Sequence, residues 1–211
     1  VDIFRPLWWL ILNGPILTFR PSKSGKAYQK IWDKDNHGSP LRKFTINQTS
    51  KLKKIFESYK NISIEYAMRY GTPEIEKTLN KMTKKGCSKI LLVPLYPQYA
   101  ASTSATVKDE VFKWMLKQRW QPDLRTIAPW FDNHNYIKAL AETVKKNIIN
   151  KNKLDKLIVS FHGIPKRYFM AGDPYHCHCI KSARLLKEEL KWPDEKILVT
   201  FQSRFGPEPW L

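Results

Sequence analysis

Acidic residues are scarce in this chain: 19 Asp and Glu stand against 37 Lys and Arg in 211 residues, a formal net charge of +18. Such a balance favours anionic partners such as nucleic acid, acidic lipid or a carboxylated ligand. Most of the excess is lysine interleaved with Asn and Ile, as from Lys145 to Lys153, a bias that base composition alone can produce. A nucleic-acid partner is therefore not expected. Cysteine is almost absent. Cys87, Cys177 and Cys179 are too few and too unevenly placed for a disulfide framework, so a reducing, cytoplasmic setting is expected. Long apolar runs are missing too. Leu7-Trp8-Trp9-Leu10-Ile11-Leu12 falls short of the roughly 20 residues a membrane-crossing helix needs, and Asn13-Gly14-Pro15 interrupts it. It can lie on a membrane surface but cannot cross one, which allows a peripheral contact with the inner membrane. No internal repeat or low-complexity tract is found. What is present is 42% hydrophobic residues, enough to bury a core and form a globular protein.

The order of elements predicts an α/β fold. After the apolar opening come a Lys-rich helical stretch, a loop at Asp33–Pro40 rich in Asp, Asn, Gly and Pro, and an amphipathic segment from Ile46 to Tyr59. Ser63–Met68 and Lys89–Leu95 read as buried strands. Between them Thr72 is placed to cap a helix, with Pro73 in its first turn and Ile75, Leu79 and Met82 at helical spacing. The pattern repeats through a helix at Ala105–Gln118, a weak strand at Thr126–Ala128, and a helix at Asn135–Ile149 that aligns Tyr136, Leu140 and Val144. Leu157–Phe161 is the strongest strand, followed by a helix at Lys181–Leu190 and a buried strand at Lys196–Phe201. Alternating strands and helices imply parallel sheets. The polar stretch Asn147–Lys156 divides the chain into domains 1–150 and 151–211, with an apolar lip at 5–40. Only two strands would fall in the second domain, too few for a stable sheet, so the protein is expected to continue beyond Leu211. The Val1-Asp2 start, without Met, points to a missing segment before it.

Ligands of open parallel sheets bind beyond the carboxyl ends of the strands. The residues there are Arg69-Tyr70-Gly71, then Tyr96-Pro97-Gln98-Tyr99 and a Ser/Thr run, then His162-Gly163-Ile164-Pro165. Together they would bring an arginine, three tyrosines and a histidine to one cleft, a set suited to a flat ligand bearing carboxylates. A strand-end imidazole at His162 can serve as a base near neutral pH or as an iron ligand. The blander readings are a hydrogen-bonded core histidine for His162, a surface ion-pair partner for Arg69, and packing aromatics for Tyr70, Tyr96 and Tyr99. His176-Cys177-His178-Cys179 crowds soft-metal ligands together, yet structural zinc wants a second, distant pair. That segment is read as an exposed loop leading into the helix at Lys181. Replacing both cysteines with serine is expected to leave function nearly unchanged.

Three motifs then resemble a known family. Val93-Pro94-Leu95-Tyr96-Pro97-Gln98-Tyr99 with Ser102-Thr103, Ser160-Phe161-His162-Gly163-Ile164-Pro165 with Gly172-Asp173-Pro174-Tyr175, and Thr200-Phe201-Gln202-Ser203-Arg204-Phe205-Gly206 are similar, in order and spacing, to those of ferrochelatases. Tyr28 with Gly38-Ser39-Pro40, Arg69-Tyr70-Gly71 and Trp130–His134 agree. The resemblance covers essentially the whole chain, and its Phe-His-Gly-Ile-Pro form looks like that of proteobacterial members.

The resemblance implies two doubly wound, Rossmann-like parallel-sheet domains around a porphyrin cleft, the second incomplete in this chain. It implies insertion of ferrous iron into protoporphyrin IX to make protoheme, the terminal step of heme biosynthesis, with iron as substrate and no cofactor required. His162 matches the residue that binds the metal or accepts pyrrole protons, and His134 lies near a second such position. Arg20, Tyr28 and Ser39 match porphyrin contacts at the cleft lip, Arg69 and Tyr70 match its inner wall, and Tyr96 and Tyr99 join the same substrate-binding set. An acidic cleft residue opposite the histidine would lie beyond Leu211, and Glu208 is no substitute. No iron-sulfur cluster is expected on Cys177 and Cys179. The alternatives are a porphyrin- or metal-binding module without catalysis, or a chelatase for another metal or tetrapyrrole.

Overall fold

The computed structural model describes residues 4–32, 38–148, 154–204 and 206–211, without the side chains of Arg5, Arg20 and Lys23. Parts of the expected loop at Asp33–Pro40 and of the polar stretch Asn147–Lys156 lie outside the described residues. Two compact units divide the chain, Val1–Ala67 and Met68–Leu211.

The first unit is helical. α1 (Arg5–Ile11) runs through a wide π turn, Leu12–Ile16, into α2 (Leu17–Gln29). Pro15 sits inside that turn. A proline has no N–H for the helical ladder and its ring crowds the preceding turn, which a locally wider winding relieves. α3 (Pro40–Ile55) begins ahead of the expected Ile46 and stops short of Tyr59. Extended Ser39 followed by Pro40 in the first turn sets its start, because proline there gives up only an N–H that would be unpaired anyway.

The second unit holds two parallel sheets, as the alternation of elements predicted. β1 (Lys89–Leu92) pairs with β2 (Asp123–Thr126), with Lys89 opposite Asp123 and Leu92 opposite Thr126. β3 (Leu157–His162) pairs with β4 (Ile197–Gln202), with Leu157 opposite Ile197 and His162 opposite Gln202. α4 (Ile75–Lys84) and α5 (Thr106–Leu116) cover the first sheet, and Leu79, Ile90, Val111 and Trp114 form its core. The Trp114 indole N–H reaches Asn80 Oδ1 at 2.8 Å. That bond lets so large a polar-tipped ring be fully buried, and truncating it to alanine would cost about 3–5 kcal/mol. On the second sheet, α6 (His134–Asn147) and α8 (Tyr175–Leu190) pack Ala141, Leu186 and Leu190 against Leu157, Val159 and Ile197. A short α7 (Lys166–Met170) follows β3.

Several expectations are corrected. Ser63–Met68 is not a strand: only Met68 makes a bridge, to Glu74, and an extended segment without a partner ladder gains no sheet bonds. Thr72 does not cap α4, whose flanking residue is Glu74. β1 ends at Leu92 ahead of Pro94, which has no N–H for a ladder. β2 lies at Asp123–Thr126 rather than Thr126–Ala128. The largest correction concerns α8, which starts at Tyr175, so that His176, Cys177, His178 and Cys179 are helical.

Candidate active site

β3 carries alternating half-buried and exposed residues that end on exposed His162. Gly163, Ile164 and Pro165, all buried, turn the chain away into α7. His162 Nδ1 lies 2.7 Å from the carbonyl oxygen of Gly163. A carbonyl can only accept, so Nδ1 carries the proton and Nε2 keeps its lone pair. A strand-end imidazole in this tautomer offers one nitrogen able to take a proton or hold a metal.

After β1 the chain passes through Pro94, Tyr96 and Tyr99, which line a small, shallow depression with Ser104, Lys108 and Trp130. Lys108 Nζ stands 5.7 Å from the centre of the Tyr99 ring. Trp130 is fixed in the wall by its indole N–H, which donates to the Pro94 carbonyl at 3.2 Å, and by an edge contact with Tyr136 at 4.9 Å. Arg69 lies over Tyr70 at 4.5 Å and 3.4 Å from Glu110. The Lys113 ammonium bonded to Glu110, with Arg69 beside it, lowers the Glu110 carboxyl below the usual range. Arg69 Nε is buried without a hydrogen-bond partner.

The expected residues fall into separate groups. Tyr96 and Tyr99 share one depression, Arg69 and Tyr70 stack on each other, and His162 stands at the end of the other sheet. Among the described residues no hydrogen bond or ring contact joins His162 to Tyr70, Tyr96 or Tyr99; α8 touches both regions, through His178 at the Tyr99 N–H and Tyr175 at the His162 backbone. His134 is exposed at the start of α6, where Asn133 caps the helix by accepting from the N–H groups of Asn135 and Tyr136. In the first unit Tyr28 is exposed on α2, Ser39 precedes α3, and Arg20 falls within α2.

The part that sequence reasoning missed is the first turn of α8. Asp173 Oδ1 accepts the Tyr175 N–H at 3.0 Å, and Asp173 Oδ2 accepts the Ala101 N–H at 2.8 Å. His178 Nδ1 accepts the Tyr99 N–H at 3.2 Å while Phe131 stacks on its ring at 3.7 Å. Burial lowers the His178 pKa, so the neutral ring is favoured. His176 stacks on Phe201 of β4 at 4.9 Å. Cys179 is completely buried, and burial pushes its thiol up to about 12 despite a hydrogen bond from Tyr175. Burial likewise raises the Tyr175 phenol, offset in part by a hydrogen bond from the His162 backbone. Gln98 donates to Ser182 Oγ at 2.9 Å, and that hydroxyl donates to the Phe131 carbonyl at 2.8 Å. The Nδ1 lone pair of His178 is already taken by the Tyr99 N–H, and a protonated, buried thiol is a poor metal ligand as it stands. No group of three or more His, Cys, Asp or Glu able to hold a metal occurs among the described residues. A signal for this arrangement was legible: Tyr175, Cys179, Ser182, Ala183 and Leu186 recur at helical spacing, and Asp173-Pro174 is a helix-start pair.

No helix among the described residues is long and apolar enough to cross a membrane. A SirB from Bacillus subtilis, solved with Fe3+, has a similar fold, with a TM-score of 0.56 at 17% identity over 82% of this chain and 65% of that one. Ferrochelatases of Allorhizobium ampelinum and Rhizobium meliloti are 52% and 50% identical over the whole of this chain, and that of Marinobacter nauticus is 44% identical. The chain spans 62% of the length of the first two and 57% of the third. The ferrochelatase family model matches residues 1–211, and the chain belongs to the ferrochelatase family.

Proposed function

We propose that the protein inserts ferrous iron into protoporphyrin IX to give protoheme, closing heme biosynthesis. The observation that carries this reading is His162: an exposed imidazole at the end of a parallel strand, with Nδ1 committed to the Gly163 carbonyl and Nε2 free. Metal insertion replaces two pyrrole protons with Fe2+, so the site needs a base or metal donor above the ring and walls that hold and bend the macrocycle. Nε2 of His162 supplies the base or the metal donor, one at a time. His134, exposed at the start of α6, is the second candidate for proton or metal handling. Tyr96 and Tyr99 give aromatic wall to the ring, and Arg69 with Tyr70 extends it. Arg20, Tyr28 and Ser39 would hold the propionates through charge-assisted or hydroxyl hydrogen bonds.

The apolar surface of α1, with Leu7, Trp9 and Leu10 exposed, supports a peripheral membrane contact through which an insoluble porphyrin arrives. We read residue 150 as the border between the domains because the β1–β2 pair lies before it and the β3–β4 pair after it, with α6 crossing to cover the second sheet. A cytoplasmic location follows from the reading of the cysteines.

The test is anaerobic iron insertion into protoporphyrin IX by the full-length protein, followed by loss of porphyrin fluorescence. Turnover that disappears in His162→Ala while porphyrin still binds supports the reading. Porphyrin binding without turnover in the wild type would favour the non-catalytic module.

A further inference from the structure

The geometry points to the segment Glu208–Leu211 as a strap that, through the Gly163 peptide, sets which ring nitrogen His162 presents; this rests on His162 being the group that meets the pyrroles or the metal. Gly163 is bonded through both of its backbone polar groups. Its N–H donates to the Gln202 carbonyl at 2.7 Å, and its carbonyl receives Nδ1–H of His162 at 2.7 Å. The Gly163 carbonyl shares its planar peptide unit with the Ile164 N–H, and the strap holds that unit. Ile164 N–H donates to the Leu211 carbonyl at 3.3 Å, Leu211 N–H returns to the Ile164 carbonyl at 2.9 Å, and Lys166 N–H donates to the Pro209 carbonyl at 2.9 Å. Pro165 and Trp210 form an antiparallel bridge. At its near end the strap is tied by Glu208 Oε2, 2.7 Å from Arg167 Nε.

Gly163 is required here for space and not for backbone conformation. A Cβ at this position would stand 3.0 Å from the Leu211 carbonyl oxygen, 3.2 Å from the Gln202 carbonyl oxygen and 3.3 Å from Trp210 Cε3. Two of those three atoms belong to the strap and the third to β4, so neither side can yield without moving the peptide that carries the histidine's bond. Trp210 closes the arrangement, its ring centre 6.4 Å from that of His162. Its indole N–H is buried without a partner, so the ring's placement is held by the bridge and the packing and not by a bond of its own. If the Gly163 carbonyl turns away, Nδ1 loses its acceptor and the proton is free to sit on Nε2, which removes the lone pair from the exposed side. Glu208–Leu211 is thus a positioning element. It touches the reaction only through His162.

The experiment uses the full-length protein with isotope-labelled histidine, reading the His162 ring nitrogens by NMR beside kcat and the porphyrin KM. Wild type should show the Nδ1–H tautomer. Gly163→Ala should mix the tautomers and lower kcat by about 10²-fold, the scale of a small misplacement of a catalytic group, with KM little changed. Trp210→Ala should move both readouts in the same direction, and Trp210→Phe, which keeps an aromatic ring against the turn, should restore the tautomer and most of kcat relative to alanine. If Gly163→Ala does not fold, the Trp210 pair decides. An active wild type, an inactive His162→Ala, and folded Gly163→Ala or Trp210→Ala proteins with unchanged tautomer and kcat would overturn the strap and leave the role of His162 standing. An inactive wild type or an active His162→Ala overturns the role of His162, and the strap's function with it.

Discussion

His162 and His178 occupy the same unit under opposite conditions. The His162 ring is exposed and held by one bond to the carbonyl of the next residue. The His178 ring is held by the Tyr99 amide and by Phe131 stacked on its face. By sequence alone His178 has the richer chemical surroundings, since it stands among His176, Cys177 and Cys179. In the fold that richness is committed to packing. His176 lies on Phe201, Cys179 fills the core beneath Tyr175, and His178 accepts from the chain after β1. The difference teaches that a ligand-type side chain is available for chemistry only where its lone pair is not already engaged. One lone histidine at a strand end therefore outranks a cluster of four such residues inside a helix.

The largest effect that would break this comparison is on the free ring. His162→Ala in the full-length protein is expected to lower iron insertion by at least about 10²-fold with the Kd for porphyrin nearly unchanged, measured by fluorescence quenching. Turnover near wild type would return His162 to the status of His178. On the packed side, Cys179→Ala is expected to cost about 1–3 kcal/mol by opening a void and leaving the Tyr175 hydroxyl short of a partner. Urea unfolding would show this as a lower midpoint, with kcat of the folded fraction retained.

The two histidines also separate by pH. Burial, the leading cause, lowers the His178 pKa below 6.5, with Lys181 acting in the same direction and Asp132 and Asp173 opposing. The folded state therefore binds its proton less readily than the unfolded chain. The stability that follows is fully present above pH 6.5 and is lost as the pH falls through the lowered folded value. His178→Asn, which keeps an acceptor for Tyr99 but cannot titrate, should flatten this acid loss in urea midpoints taken between neutral and mildly acidic pH. An unchanged slope would show that the ring is not the group responsible. The smallest effect belongs to exposed Cys177. Cys177→Ser should change stability by no more than about 0.5 kcal/mol, and added zinc should leave the Tm of wild type and variant alike.

Much of the fold was legible. The helix at Asn135–Ile149, the strands at Leu157–Phe161 and Lys196–Phe201 and the parallel pairing follow from periodicity and from β-branched runs bounded by polar residues. Where sequence reasoning failed, a partner elsewhere in the chain decided. Ser63–Met68 has strand composition but finds no ladder. Tyr175–Cys179 reads as loop because its ligand-type residues draw attention from their helical spacing, and what makes the turn stable is contact with Phe131, Tyr99 and Phe201, all distant in sequence.

The amino-acid order by itself determined the alternation of elements, the motif that places His162 after a strand, and the family those motifs resemble, because periodicity, turn residues and short motifs are local properties of the chain. Tertiary structure alone decided which nitrogen of His162 is free, that Gly163 is wanted for space, and that His176, His178 and Cys179 are committed to packing. Each of these depends on atoms contributed by distant residues, Leu211 and Gln202 in one case and Phe131 and Phe201 in the other, and no local pattern encodes which distant atoms will meet.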